Sequence, residues 1–147
     1  MNISEDVLRT MAEEKIAFVK RSGLKLLEAR SGYVKCLMPM TGNENHMGTM
    51  YAGALYTLAE IPGGVIAFAS FGVGKYVPLL KSSTIKFLKP AKGDITYGVS
   101  LGEQEVLRVI EEAKEKGKSD FVLEGELKDS SGIVVAVYTG VYQIRAM

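Results

Sequence analysis

The feature that most constrains this chain is a long, nearly uncharged segment in its first half. Residues 45–74 carry one formal charge, Glu60. Within them, residues 49–71 are rich in Ala, Leu and Gly, and β-branched residues are scarce in the first half of that run. The length of the run favours a helix over a strand, and a helix that is apolar nearly all round should be buried. The sequence therefore predicts one long helix that the rest of the fold encloses.

The segments on either side of this helix predict mainly strands. Ser4 can cap a first helix, which Gly23 ends. A surface helix is predicted over Glu103–Lys116, with Val106, Ile110 and Ala113 at helical spacing facing the body of the protein. Alternating or continuously apolar runs between turn residues predict strands at 24–29, 33–38, 77–89, 94–101, 119–129 and 133–144.

This order of elements predicts an α+β architecture of the hotdog type. An antiparallel sheet that wraps around one long central helix satisfies every apolar face at once. A chain of 147 residues with 47% hydrophobic residues is long enough for one such core and too short for two ordinary domains. We therefore expect a single hotdog domain over residues 1–147.

Composition excludes several classes of function. The formal net charge is +1 and charges of both signs are interspersed, which argues against a nucleic-acid or anionic-membrane surface. The uncharged run 61–74 contains Pro62 and is shorter than the roughly 20 residues of a membrane span. The acidic residues Glu5 and Asp6 do not fit a secretory signal. The lone Cys36 fits a small core residue in a reducing compartment, so we expect a soluble, cytoplasmic protein.

Glu60 is the sharpest chemical feature of the sequence. An ionised carboxylate in an apolar setting costs several kcal/mol unless it is paired or hydrogen-bonded. Burial would raise its pKa and make it a usable base near neutral pH. The alternative is that Glu60 lies on an exposed corner of the helix or pairs with a lysine from another strand.

No metal or cofactor is implied by the sequence. His46 is the single histidine, so one chain can build neither a Ser-His-Asp triad nor a histidine-rich metal site. A surface-loop position suits His46 best. Past Glu60, Pro62 should kink the helix, while close packing against the sheet is the preferred explanation for Gly63 and Gly64.

The residues from Asn45 to Glu60 resemble the signature of the phenylacetyl-CoA-type (PaaI-like) hotdog thioesterases. In that family an Asn precedes a His-Gly-Gly at the start of the central helix, and Leu-Ala-Asp or Leu-Ala-Glu follows. Asn45 matches the loop amide, Ala52 and Gly53 match the Gly-Gly, and Glu60 matches the catalytic carboxylate. The resemblance thus implies a catalytic set of Asn45, Ala52, Gly53 and Glu60.

Two further stretches carry the resemblance. Residues 84–94 resemble the family's "FLrPa..G" strand and turn, and residues 128–136 resemble its penultimate turn. The sequence departs from the pattern where Tyr51 replaces the His and Ala52 the first Gly, as in a less characterised branch of these proteins. An acyl-CoA or acyl-ACP substrate is implied, and Tyr51 is a candidate binding residue. Ser83 and Thr84 could also line the pocket, although alternate residues of this stretch could simply face solvent. Lys86, Lys89 and Lys92 could meet CoA phosphates, although a solvated face explains them equally well.

Helix geometry adds a constraint on where the site can form. Eight helical residues separate Ala52 from Glu60 by about 12 Å, so one thioester carbonyl cannot touch both. Two such helices that run antiparallel across a two-fold axis could bring the N-terminus of one beside Glu60 of the other. We therefore expect a homodimer, or a dimer of dimers, whose protomers share the site. Glu60 would act as general base or as nucleophile, and the helix N-terminus would stabilise the oxyanion.

Two other functions remain as alternatives. A non-catalytic acyl-binding hotdog protein would explain why Tyr51 stands in place of the family His. The spacing of His46 and Glu60 also resembles the His…Glu pair of hotdog β-hydroxyacyl-ACP dehydratases. That family's prolines are absent here and Gly53 is out of register, so a dehydratase or hydratase is the weaker alternative.

Overall fold

A computed structural model describes residues 3–147 of the chain. It contains four helices and six strands within that range. In chain order they are α1 (Glu5–Glu13), α2 (Ala17–Ser22), β1 (Lys25–Arg30), β2 (Tyr33–Met38), α3 (Ala52–Phe71), β3 (Tyr76–Phe87), β4 (Ile95–Ser100), α4 (Glu103–Lys116), β5 (Lys118–Lys128) and β6 (Val134–Ala146).

The strands form one antiparallel sheet in the order β1-β2-β4-β5-β6-β3. Helix α3 contacts all six strands, so the sheet wraps around it as the sequence predicts for a hotdog fold. The predicted alternation in β4 is confirmed, because Ile95, Tyr97 and Val99 are buried beneath the helix. Strand β3 pairs with β6 on one side alone, which leaves its other edge open within the described chain.

Helix α3 begins three residues later than the predicted segment, at Ala52, and continues past Pro62 to Phe71. Its length and hydropathy would also suit a membrane span, but 67% of its apolar stretch is buried inside the protein. Leu58 and Ile66 are fully buried, as expected for the central helix of a hotdog core. The predicted close packing is confirmed for Gly63, where a Cβ would collide with the Tyr142 ring. It is wrong for Gly64, where a Cβ would meet nothing within 4 Å.

The prediction of one helix from Ser4 to Gly23 is wrong. Ser4 does cap α1, but Ile16 has an extended backbone and separates α1 from α2. The cause lies in contacts of α1 with the sheet edge at Leu26. Arg9 donates a 2.7 Å hydrogen bond to the Leu26 carbonyl, and the Glu13 carboxylate accepts one of 2.8 Å from the Leu26 amide. Because these bonds hold the end of α1 against β1, the chain must turn before it can enter that strand.

The predicted surface helix is confirmed as α4, Glu103–Lys116, with Val106 and Ala113 buried. Val109 is the most buried residue of that face, although the sequence pattern pointed to its neighbour Ile110, which is half-buried. Burial is shared by both residues because the apolar stripe of a helix recurs at three- and four-residue steps.

Candidate active site

Glu60 lies on α3 at one wall of an apolar cavity of about 330 Å³. Its side chain is half-buried, and burial raises the pKa of the carboxyl above its ordinary value of 4.5. Within residues 3–147, no lysine or arginine pairs with this carboxylate and nothing hydrogen-bonds to it; desolvation is the sole cause of the shift. The structure therefore favours a desolvated, uncompensated carboxylate over an exposed or lysine-paired one.

The backbone of Glu60 is fixed from the sheet. The Tyr142 hydroxyl donates to the Glu60 carbonyl oxygen at 3.0 Å, and the Tyr138 and Tyr142 hydroxyls lie 2.8 Å apart. Gly63 allows this approach, because any side chain there would occupy the space of the Tyr142 ring. Sequence reasoning missed these tyrosines. The available signal was their spacing in β6, since residues four apart in a strand share a face.

The loop before α3 is organised by Asn45. Its Oδ1 accepts hydrogen bonds from the amides of Met47 and Thr49 at 2.9 and 3.1 Å, and its Nδ2 donates to the Thr49 hydroxyl at 2.8 Å. The amide of Met50 donates to the carbonyl of Ala91 at 2.8 Å, which ties the loop to the segment after β3. Asn45 thus sets the shape of the loop that delivers the chain to the start of α3, and its contact with a substrate stays a prediction.

Helix α3 begins without a side-chain cap. Tyr51 occupies the N-cap position and its side chain makes no capping hydrogen bond. Among the described residues, the amides of Ala52 and Gly53 have no acceptor, as is usual for the first turn of a helix. Tyr51 is 58% exposed, and its ring lies where a Gly53 side chain would be. Two free N–H donors at the positive end of a 20-residue helix can polarise a carbonyl.

The two halves of the predicted site lie in different cavities of one chain. Asn45 and Ala52 line a second cavity of about 330 Å³, together with Phe87 at the end of β3 and Leu88 just after it. Glu60 lies two helical turns further along α3, about 12 Å away by helix geometry. The protomer alone therefore does not bring the donors of Ala52 and the carboxylate of Glu60 onto one carbonyl.

The remaining predicted site residues line neither cavity. Ser83 is hydrogen-bonded at 2.7 Å to Tyr56 of α3, and Thr84 is exposed on β3. His46 is exposed in its loop, in agreement with its predicted surface position. Cys36 is fully buried and burial raises the pKa of its thiol to about 12, which makes it a core residue and a poor nucleophile.

Comparison with known proteins defines the class of this fold. A protein of unknown function from Pseudomonas aeruginosa, described as a probable thioesterase, is 45% identical and superposes with a TM-score of 0.93, covering 100% of this chain and 99% of that one. A Haemophilus influenzae thioesterase is 12% identical with a TM-score of 0.77, covering 99% and 93%. A protein of unknown function from Chlorobaculum tepidum is 16% identical with a TM-score of 0.83, covering 97% and 94%. The last two show the fold alone.

The 45%-identical relative and the sheet-wrapped helix place the chain in the hotdog thioesterase superfamily. Within it, the chain belongs to the family described as "Domain of unknown function (DUF4442)", which it matches over residues 5–143. No curated protein is a significant match.

Proposed function

We propose that this protein is an acyl thioesterase that hydrolyses acyl-CoA or acyl-ACP at a site shared by two protomers. The observation that carries the proposal is the Glu60 carboxylate, which is desolvated and unpaired among the described residues and lines an apolar cavity. Burial of a charge without a partner is costly, so such groups concentrate at functional sites. The thioesterase name of the 45%-identical relative supports the same reaction class.

The open edge of β3 supports a dimer. The strand has 12 residues whose outer edge is unpaired in the protomer, and several of its apolar side chains are exposed. An edge of this length is a template for pairing with another strand. Antiparallel pairing of two copies about Ser82 would bring the end of β3, at Phe87, beside the start of the partner's β3, at Val77.

That pairing would join the two half-sites. Phe87 lines the cavity that contains Asn45 and Ala52, while Val77 lines the cavity that contains Glu60. When these two ends of β3 meet across the two-fold axis, the Ala52 cavity of one protomer therefore faces the Glu60 cavity of its partner. Each dimer would hold two equivalent sites, as an isologous interface requires.

The proposed reaction follows from these groups. The amides of Ala52 and Gly53 receive the thioester carbonyl, and the partner's Glu60 takes a proton from water as the water oxygen attacks the carbonyl carbon. The amides stabilise the oxyanion of the tetrahedral intermediate. When the carbon–sulfur bond breaks, the proton held by Glu60 passes to the thiolate, and the carboxylic acid and free thiol leave. A carboxyl whose pKa is raised toward neutrality suits both proton transfers.

The test is release of free thiol from a panel of acyl-CoAs and acyl-ACPs, measured for wild type and Glu60→Gln. Glutamine keeps the size of the side chain and removes its basicity, so turnover should fall by at least about a hundredfold, the usual contribution of general acid–base catalysis. Saturable binding without thiol release by the wild type would instead indicate a non-catalytic acyl-binding protein. Full turnover in a folded Glu60→Gln protein would refute the role of Glu60.

A further inference from the structure

Gly64 has no packing reason to be a glycine. It lies inside α3, one turn after Glu60, and a Cβ at this position would meet nothing within 4 Å. A glycine inside a helix is less stable than alanine, because it loses more backbone freedom on folding. Its neighbour Gly63 is explained by the Tyr142 ring, but no such contact exists for Gly64 in the described chain.

The space left by Gly64 belongs to the cavity beside Glu60. Positions four apart on a helix share a face, and both residues line this cavity of about 330 Å³. The other walls are almost wholly apolar and come from α1, the break before α2, α3 and the start of β3: Met11, Ile16, Ile61, Val65, Phe68 and Val77. Lys15 and Glu60 are the charged groups among the lining residues, and Lys15 is exposed.

We propose that Gly64 sets the acyl specificity of the site by keeping open an apolar channel beside Glu60 for an uncharged alkyl or aryl acyl group. This inference rests on the proposed thioesterase function. Gly64 lies one helical turn from Glu60 on the same wall, so an acyl chain that extends from a thioester carbonyl beside Glu60 can pass over its open face. A second carboxylate on the acyl group would lie beside the Glu60 carboxylate among apolar walls, where the exposed Lys15 is the one cation, so uncharged acyl groups are favoured.

The walls contributed by Met11 and Ile16 depend on the break between α1 and α2. Ile16 is the residue with extended backbone at that break, and it is 51% exposed in the protomer. An acyl chain in the channel would contact this side chain and remove it from water, which contributes to binding in proportion to the apolar area buried.

The test is the acyl-chain profile of kcat/KM for wild type, Gly64→Ala and Gly64→Leu, across straight-chain acyl-CoAs from acetyl to palmitoyl, with phenylacetyl-CoA and succinyl-CoA. Leucine fills the channel, so the optimum should move to shorter chains, and long-chain or aryl substrates should lose about tenfold or more, as an apolar pocket gives for groups of this size. Short-chain substrates should lose less kcat/KM than long-chain ones. Gly64→Ala should fold at least as well as wild type and show a smaller shift in the same direction.

A binding measurement distinguishes the acyl channel from the proposed thioesterase activity. Nonhydrolysable thioether analogues of the same acyl-CoAs are titrated into wild type and Gly64→Leu. Suppose that Glu60→Gln abolishes turnover but folded Gly64→Leu leaves both the kcat/KM profile and the analogue-binding profile unchanged. The channel is then refuted and the thioesterase function stands. If wild type releases no thiol, but analogue affinity depends on acyl length and Gly64→Leu shifts the tightest binding to shorter chains, the thioesterase function is refuted and the channel stands. Tight binding of succinyl-CoA by wild type would overturn the assignment to uncharged acyl groups.

Discussion

The Tyr142 hydroxyl donates a 3.0 Å hydrogen bond to the backbone carbonyl of Glu60, a residue 82 positions earlier in the chain. The same tyrosine ring occupies the space that a side chain on Gly63 would need, so one residue of β6 fixes the turn of α3 that carries the carboxylate. Burial raises the pKa of the Tyr142 phenol, and the Tyr142 hydroxyl lies 2.8 Å from that of Tyr138. Tyr142 is therefore a neutral, rigid support beneath the proposed base.

The first prediction concerns that support. Tyr142→Phe removes the hydrogen bond to Glu60 and keeps the ring, so it should lower kcat several-fold while KM for an acyl-CoA changes little. The expected loss of stability is about 1 kcal/mol, the usual contribution of one hydrogen bond. Steady-state kinetics and urea denaturation measure the two effects.

Tyr138→Phe is the matched control, because it removes the neighbouring hydroxyl and leaves the bond between Tyr142 and Glu60 intact. A purely structural role for Tyr142 predicts the same kinetic constants for both variants at equal stability. That outcome would show that Tyr142 does not position Glu60 for catalysis.

The second prediction concerns the pH dependence of turnover. A general base must be ionised, and burial holds the pKa of Glu60 above its ordinary value of 4.5. The acid limb of kcat/KM against pH should therefore rise through an apparent pKa above that value. A profile that is already flat at the pKa of an ordinary glutamate would contradict a desolvated base at this position.

The third prediction concerns stability. In the unfolded chain Glu60 titrates near 4.5, whereas the folded protein holds its proton to higher pH. Because the folded state binds more protons between these two values, the contribution of Glu60 to stability falls as pH rises through that window and stays low above it. Glu60→Gln does not titrate, so its stability relative to wild type should increase with pH.

Urea denaturation of both proteins at several pH values measures this difference. A difference that is constant with pH would show that the folded-state pKa of Glu60 is not raised. If the stability of Glu60→Gln relative to wild type falls as pH rises, Glu60 has a cationic partner, because a paired carboxylate is stabilising when it is ionised.

The fourth prediction compares two adjacent glycines. Gly63→Ala forces a methyl group into the Tyr142 ring and should destabilise the protein by about 1–3 kcal/mol, as overpacking of a core does. Gly64→Ala, in the same helix with open space around it, should stabilise it by up to about 1 kcal/mol. Thermal and urea unfolding of the pair give both signs, and equal effects would mean that the surroundings of the two residues do not differ.

Much of this architecture is predictable because it depends on local patterns. The uncharged run that becomes α3, the alternation in β4 and the stripe of α4 are periodicities along the chain, and each produced the expected element. The apolar setting of Glu60 follows from the same local composition.

The rest depends on contacts between distant residues. The break at Ile16 arises because Arg9 and Glu13 of α1 bind the backbone of Leu26, and no pattern within the helix shows this. The bond from Tyr142 to Glu60 joins residues that the chain brings together only when the sheet closes around α3. Likewise, Gly63 and Gly64 look alike in sequence, and the Tyr142 ring distinguishes them.

The last prediction concerns assembly. If two copies pair along β3 around Ser82, the protein in solution is a homodimer or a tetramer built from two such dimers. A monodisperse monomer at micromolar concentration by light scattering would refute the shared site. Ser82 is exposed in the protomer, so Ser82→Glu should fold normally. In the dimer it would set two like charges directly opposite each other, which is destabilising in an antiparallel pair.

Ser31→Glu, at the exposed β1–β2 turn near the other edge of the sheet, is the matched control. Ser82→Glu should shift the protein toward monomer and lose thioesterase activity in the same proportion, because the donors of Ala52 then lack a facing Glu60. A monomeric Ser82→Glu protein that retains full turnover would show that one protomer completes the site by itself.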